Sequence, residues 1–372
     1  MASRAFSGLP ASGRSVTPCY RVPMPLTVDA RPSLPADLVA SLVRDRFGME
    51  GRLSPLPGEW DQNLRLDTTA GESYVVKIAN RGHDTCVLDF QNRAVQRLAG
   101  RWRPGGCPCP VASIEGEHIV RLEAGDGHGY RVRVLTFVPG QPLAEIRPTD
   151  SDTLERLGVA AGELDQCLSG FEHGAMHRDM PWDLARPEWI GNRTRQITDP
   201  HRRGIVERML LQYRARVRPA LDALPAGVIH NDLNDENILL SAHEQRGWEV
   251  AGVLDFGDML WSHTVNELAI LCAYATMACD ESVDRMASIA RGYHRARPLD
   301  ANELDALFPL TCMRLCVSVI TSAIAALEDP DNAHRQISDA PAWALLEFLA
   351  GVEWDDARNR LRDSCGAGRR AL

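Results

Sequence analysis

One stretch limits what this 372-residue chain can fold into more than any other. His230-Asn231-Asp232-Leu233-Asn234-Asp235-Glu236-Asn237 has the spacing H-x-D-x-x-x-x-N, and Asp255-Phe256-Gly257 begins eighteen residues after Asn237. Residues 238–240 and 248–254 between them read as strands, and the polar run 243–247 reads as the turn that joins them. The pattern predicts a β-hairpin. A hairpin returns the chain to its starting end, so the polar residues before its first strand meet those after its second. Asp232, Asn237 and Asp255 are therefore expected together, beside the apolar segments 228–229 and 253–254.

That grouping has the chemistry of phosphoryl transfer, and the two motifs in this order have the spacing of kinase catalytic loops. Moving a phosphoryl group to a hydroxyl calls for a carboxylate near the attacking oxygen, and Asp232 is the candidate base. It also calls for Mg2+ on the phosphates, an ion that takes a few protein oxygens besides those of the substrate. Asn237 and Asp255 are the candidate ligands. The plainer alternative is a polar turn with a chance D-F-G, and the strand segments around both motifs weigh against it. His177-Arg178-Asp179 spells a more literal H-R-D, but Leu184 stands five positions beyond Asp179 where an Asn is needed. No D-F-G follows it at hairpin distance, so it is rejected as a catalytic loop.

Upstream, a helix is expected near Ala36–Phe47 and strands over most of 53–138. Lys77 lies in Val75-Val76-Lys77-Ile78, similar to the V-A-I-K strand of kinases, and is the candidate contact to nucleotide phosphates. A solvated edge lysine is the plainer alternative. The turn at 54–63 stands where a phosphate-covering loop is expected; its one glycine, Gly58, is a candidate nucleotide contact, though G-x-G-x-x-G is absent. Residues 88–98 and 153–168 have helical spacing, the second with Asp152 and Glu155 as an expected capping box. Helical patterns dominate after Val138-Pro139-Gly140, with Val265, Leu268, Ala269 and Cys272 on one face. The expected fold class is α+β and bilobal: a small sheet-based N-lobe over 31–138 that binds nucleotide, and a larger, mainly helical C-lobe over 139–372.

Composition narrows the partners. Fifty acidic against forty-one basic side chains give a formal net charge of −9, which argues against nucleic acid or an anionic membrane as the main partner. The ten cysteines form no metal-ligand spacing and are expected as reduced thiols of a cytoplasmic protein. The apolar run 307–327 is interrupted by Arg314, Ser318, Thr321 and Ser322, so it reads as a buried helix and not a membrane span. Residues 1–30, rich in Ser, Pro and Ala, are expected to be a disordered leader, with a transit segment or a start set too far upstream as alternatives.

With these residues in view, the chain resembles the aminoglycoside phosphotransferase/choline kinase-like superfamily over roughly residues 30–350, and is most similar to its hydroxylysine kinase branch. Leu56-Pro57-Gly58-Glu59-Trp60-Asp61-Gln62-Asn63, Leu88-Asp89-Phe90-Gln91-Asn92 and the run from Leu164-Asp165-Gln166 into His177-Arg178-Asp179-Met180-Pro181-Trp182-Asp183-Leu184 carry that likeness. It implies a protein-kinase-like fold and transfer of the γ-phosphate of GTP or ATP to hydroxylysine or a similar amino alcohol. Two departures stand out. Asn231 occupies a position usually held by Gly, and Asn tolerates the left-handed backbone region that Gly adopts. A helix glutamate normally pairs with the strand lysine; here the helix offers Asp89 and Gln91, so Gln91 is a candidate neutral partner and Asp89 or phosphate the alternative anchor.

On the acceptor side, ammonium groups call for acids. Asp179, Asp183, Asp258 and Glu267 are candidates, with Arg178 for an α-carboxylate; a helix cap or salt bridge is the plain alternative for each and is preferred for Glu267. Trp182 is expected to pack and not to form a cation–π wall. Two competing functions stay open: an aminoglycoside-type antibiotic phosphotransferase, and a nucleotide-binding pseudokinase that regulates a partner.

Overall fold

The computed structural model describes residues 31–58, 60–124, 127, 129–277, 281–328 and 339–367. The expected leader at 1–30 lies outside them. The chain folds as a sheet-rich N-terminal part followed by a helical C-terminal part.

Helix α1 (Ala36–Phe47) precedes the antiparallel strands β1 (Gly51–Leu56), β2 (Gln62–Thr68) and β3 (Ser73–Ile78). Helix α2 (Thr85–Leu98) follows, starting three residues before its apolar stripe because Asp84 caps it by accepting the Cys86 N–H. Strands β4 (Pro110–Val111), β5 (Val120–Glu123) and β6 (Gly129–Thr136) complete a sheet of order β1-β2-β3-β6-β4, with β5 also paired to β6. Alternation divides its faces. Val76, Ile78, Val132 and Val134 bury against Val39 and Val43 of α1. Lys77 and its register partner Arg133 point to the opposite face.

Strand β7 (Gln141–Pro142) crosses over and pairs with the predicted hairpin, β9 (Ile238–His243) and β10 (Gly247–Val253). Strand β8 (Ala226–Ile229) pairs with β11 (Leu260–His263). The helices are α3 (Leu143–Ile146), α4 (Ser151–Leu168), α5 (Pro200–Arg216), α6 (Thr264–Ala275), α7 (Ser282–Ala296), α8 (Ala301–Glu328), α9 (Asp339–Leu349) and α10 (Trp354–Ser364).

The expected capping box of α4 is corrected. Asp150, not Asp152, caps the helix by accepting the Thr153 N–H at 2.8 Å. Glu155 instead pairs across the helix interface with Arg291 and Arg295 of α7. Helices α4 and α7 touch backbone to backbone: a Cβ on Gly158 would lie 1.9 Å from the Ile289 carbonyl oxygen, and one on Gly292 would lie 2.0 Å from that of Glu155. Every residue of α6 is buried. Helix α8 is long and apolar enough to cross a membrane, but Leu307, Phe308, Leu310 and Met313 are enclosed by the other helices, as a core helix requires. None of the eight described cysteines is in a disulfide.

Candidate active site

The loop between β8 and β9 is held by its first residues. His230 is fully buried, donates from Nε2 to the Leu254 carbonyl at 2.8 Å, and accepts the Asp232 N–H on Nδ1 at 3.3 Å. Burial pushes its pKa down to about 4, so the ring stays neutral. It meets Phe256 edge-on, centroids 4.7 Å apart, which ties the catalytic-loop histidine to the D-F-G phenylalanine. Asn231 takes φ +67°, the left-handed conformation open to Asn, and its N–H donates to Glu267 Oε2 at 2.8 Å. Glu267 is itself buried, and desolvation pushes its carboxyl well up. It braces the loop from α6 through a backbone N–H, a structural role different from the helix cap or salt bridge expected for it.

The Asp232 carboxylate is gripped on both oxygens. Oδ2 accepts from Asn234 Nδ2 at 3.0 Å and Asn237 Nδ2 at 2.9 Å, while Oδ1 accepts from Arg314 Nη2 at 3.0 Å. Burial pushes its pKa up to about 8, Arg314 opposes that, and the charges of Asp258 and Asp255 add to it. Asn237 spends its amide N–H group on Asp232, with a second contact to the Asp232 carbonyl at 3.0 Å. Its Oδ1 is thereby the atom left to serve as an oxygen donor. Leu254 N–H bonds the Asn237 carbonyl at 2.8 Å, so the hairpin sets Asp255 beside Asn237.

Asp255 also has a left-handed backbone, φ +50°, with Oδ1 accepting the Gly257 N–H at 3.1 Å. Lys77 Nζ reaches the same oxygen at 3.6 Å from β3 and, as the largest influence, lowers the Asp255 carboxyl. The side chain of Asp255 is half exposed. One half-exposed carboxylate and one amide oxygen fit Mg2+, which keeps most of its shell for phosphate and water. Among the described residues no His/Cys/Asp/Glu cluster forms an all-protein metal cage.

Neither expected anchor of Lys77 serves. Asp89 faces away, paired with Arg93 at 2.8 Å and His173 at 3.2 Å. Gln91 is buried within α2, and the lysine pairs with Asp255 instead. Two ties run from β6 to α2: Arg133 Nη1 to Asn92 Oδ1, 3.1 Å, and Arg131 Nε to Thr85 Oγ1. Gly58 lies just past β1 in a turn where a Cβ would come 2.5 Å from Asn63 Nδ2, an amide already bonded to the Pro57 carbonyl. The turn itself therefore requires that glycine.

The acceptor-side candidates separate. Arg178 spends Nη1 on the carbonyls of Gly257 at 2.6 Å and Met259 at 3.0 Å, bracing the D-F-G loop. Asp179 pairs with Arg186 at 2.7 Å, and Asp183 is buried, accepting from Ser262 Oγ at 2.6 Å and the Ala185 N–H. Both carboxylates are thus engaged by protein partners, the plain alternative given for them. Asp258 remains beside the site: burial, then the charge of Asp255, pushes it up to about 6, and Arg178 and Arg314 oppose. Trp182 packs on Met180, Ile229 and Leu260, as expected. Arg314 was visible in the sequence only as an interruption of an apolar run. A lone cation inside a core helix requires a buried anion, and that signal points to Asp232 only once the fold is known.

A loop carboxylate, a strand lysine paired with an aspartate and a neighbouring amide oxygen are the parts that phosphoryl transfer calls for. The chain belongs to the phosphotransferase enzyme family, whose model matches residues 52–299. It is 28% identical over 340 residues to hydroxylysine kinase of Mus musculus, covering 86% of this chain and 90% of the mouse protein. Its fold is similar to that of a microcompartment-associated aminopropanol kinase, with TM-score 0.66 and 15% identity over 85% of this chain and 99% of the other. It is also similar to an amicoumacin kinase in complex with AMP-PNP and Ca2+, with TM-score 0.64 and 15% identity over 87% and 97%.

Proposed function

We propose that this enzyme transfers the γ-phosphate of GTP or ATP to the hydroxyl of hydroxylysine or a similar amino alcohol. The observation that carries the reading is the grip on Asp232, set beside Asn237 and within the field of Asp255. In this reading Asp232 takes the proton of the acceptor hydroxyl as its oxygen attacks phosphorus. A base that titrates near working pH combines ionisation with proton affinity. Lys77 contacts the nucleotide phosphates from β3, and Asn237 with Asp255 hold Mg2+. Bound Mg2+ would neutralise phosphate charge. Asp258, half-buried and next to the same loop, receives the acceptor's ammonium group, which would favour its ionised form. The name of the mouse relative supports hydroxylysine as acceptor. The test is a nucleotide-consumption screen pairing ATP and GTP with 5-hydroxylysine, small amino alcohols and aminoglycosides. Turnover with hydroxylysine or a small amino alcohol is expected. Turnover with aminoglycosides alone would replace the acceptor class, and none at all would favour the pseudokinase.

A further inference from the structure

Arg314 has no part in the chemistry above, yet it touches the reacting carboxylate. It comes from α8, and at 6% exposure it sits among Met313, Leu315 and Cys316, all fully buried. A buried guanidinium is unfavourable unless matched, and this one is matched twice through Nη2: to Asp232 Oδ1 at 3.0 Å and to the Tyr274 phenol oxygen at 3.2 Å. Its charge also lies over the Tyr274 ring, 5.3 Å from the centroid. Tyr274 stands near the end of α6, the helix whose Glu267 holds the Asn231 N–H. Its carbonyl faces Arg147 Nη1 at 3.5 Å, and Arg147 pairs with Asp235 of the same loop at 2.7 Å. The catalytic loop is thus fastened to α6 at three points, one of them through Arg314.

An ionised carboxylate offers about four acceptor positions, two on each oxygen. Asn234 and Asn237 take two on Oδ2, and Arg314 takes one on Oδ1. The position remaining for an acceptor hydroxyl is on Oδ1, the oxygen Arg314 holds. We propose that Arg314 is a positioning residue for Asp232: it fixes the plane of the carboxylate so that Oδ1 faces the acceptor hydroxyl, and Tyr274 fixes Arg314. This inference rests on Asp232 being the base. It assigns the proton to one named oxygen and makes a residue 82 positions away part of the reaction geometry.

The experiment is a double-mutant cycle on the full chain with GTP and 5-hydroxylysine, comparing wild type, Arg314→Met, Asp232→Asn and the double variant. Nucleotide affinity and Tm are measured alongside. Arg314→Met is expected to lower kcat by ~10²-fold, the size typical of losing one preorganised catalytic hydrogen bond, with nucleotide affinity within about twofold by the same reasoning. Arg314→Lys should recover part of the rate, and Tyr274→Phe should lose less than Arg314→Met. Because Arg314 acts through Asp232, the double variant should be no slower than Asp232→Asn alone. A further loss in the double variant equal to that in the wild-type background would overturn the proposal, as would an Arg314→Met kcat within about twofold of wild type. If Arg314→Met does not fold, Arg314→Gln takes its place in the same cycle, and the same two results would overturn the proposal. Near-normal turnover by Asp232→Asn is a different failure: it removes Asp232 as base, and the inference with it.

Discussion

Lys77 of β3 and Asp255, two residues beyond β10, approach to 3.6 Å, joining the sheet-rich part of the chain to the catalytic hairpin by one ion pair. Lys77 is mostly buried and Asp255 half exposed, so solvent reaches the pair from the Asp255 side. A nucleotide with its metal entering there would meet a cation and a carboxylate already aligned.

Replacing Asp255 with Ala should weaken binding of Mg2+-nucleotide by at least about tenfold, since the charge facing the metal is removed. Titration with ATP and GTP analogues, with and without Mg2+, measures this. Affinity that does not depend on Asp255 in either condition would remove it as a metal ligand.

Asp232→Ala should lower turnover by ~10²–10³ or more while nucleotide still binds. Steady-state rates set against nucleotide affinity check both halves. A variant that turns over at the wild-type rate ends the role of Asp232 as base.

Gly158→Ala should cost about 1–3 kcal/mol or more, the usual penalty for overpacking. A methyl there meets a carbonyl oxygen at 1.9 Å, and α4 must separate from α7 to admit it. Urea denaturation gives the number, and unchanged stability would mean that the two helices part easily.

Asp165 supplies a pH test away from the reacting atoms. It is buried on α4 and accepts from the Tyr293 hydroxyl, and burial pushes its pKa up from 3.8 to about 7. A carboxyl whose folded pKa is raised favours the fold when protonated. Its contribution is complete below about pH 4 and fades as pH climbs through about 7. Asp165→Asn should therefore flatten the fall in stability across that window, as read from urea midpoints at a series of pH values. Parallel curves for the two proteins would place the titration elsewhere.

What the sequence revealed follows from the range of the forces involved. The hairpin was legible because strand alternation and a polar turn are local, and its ends carry Asp232, Asn237 and Asp255 together. Lys77 was legible as the polar member of an apolar strand. Its partner was not, because the choice among Asp89, Gln91 and Asp255 depends on how α2 packs, which no local pattern encodes. The same holds for Arg314, whose contact with Asp232 spans 82 residues. Asp150 was missed for a smaller reason: with acids at both 150 and 152, only the backbone shows which one caps the helix.

The hydrogen bond between Arg133 and Asn92 has a consequence for control. Where a helix carboxylate holds the strand lysine, moving that helix aside switches the enzyme off. Here α2 is fastened to β6 by the Asn92 amide and the Thr85 hydroxyl, and the lysine pairs with Asp255. Movement of α2 would therefore reach the Lys77–Asp255 pair only indirectly, through the core that Phe90 of α2 shares with Phe256 beside Asp255.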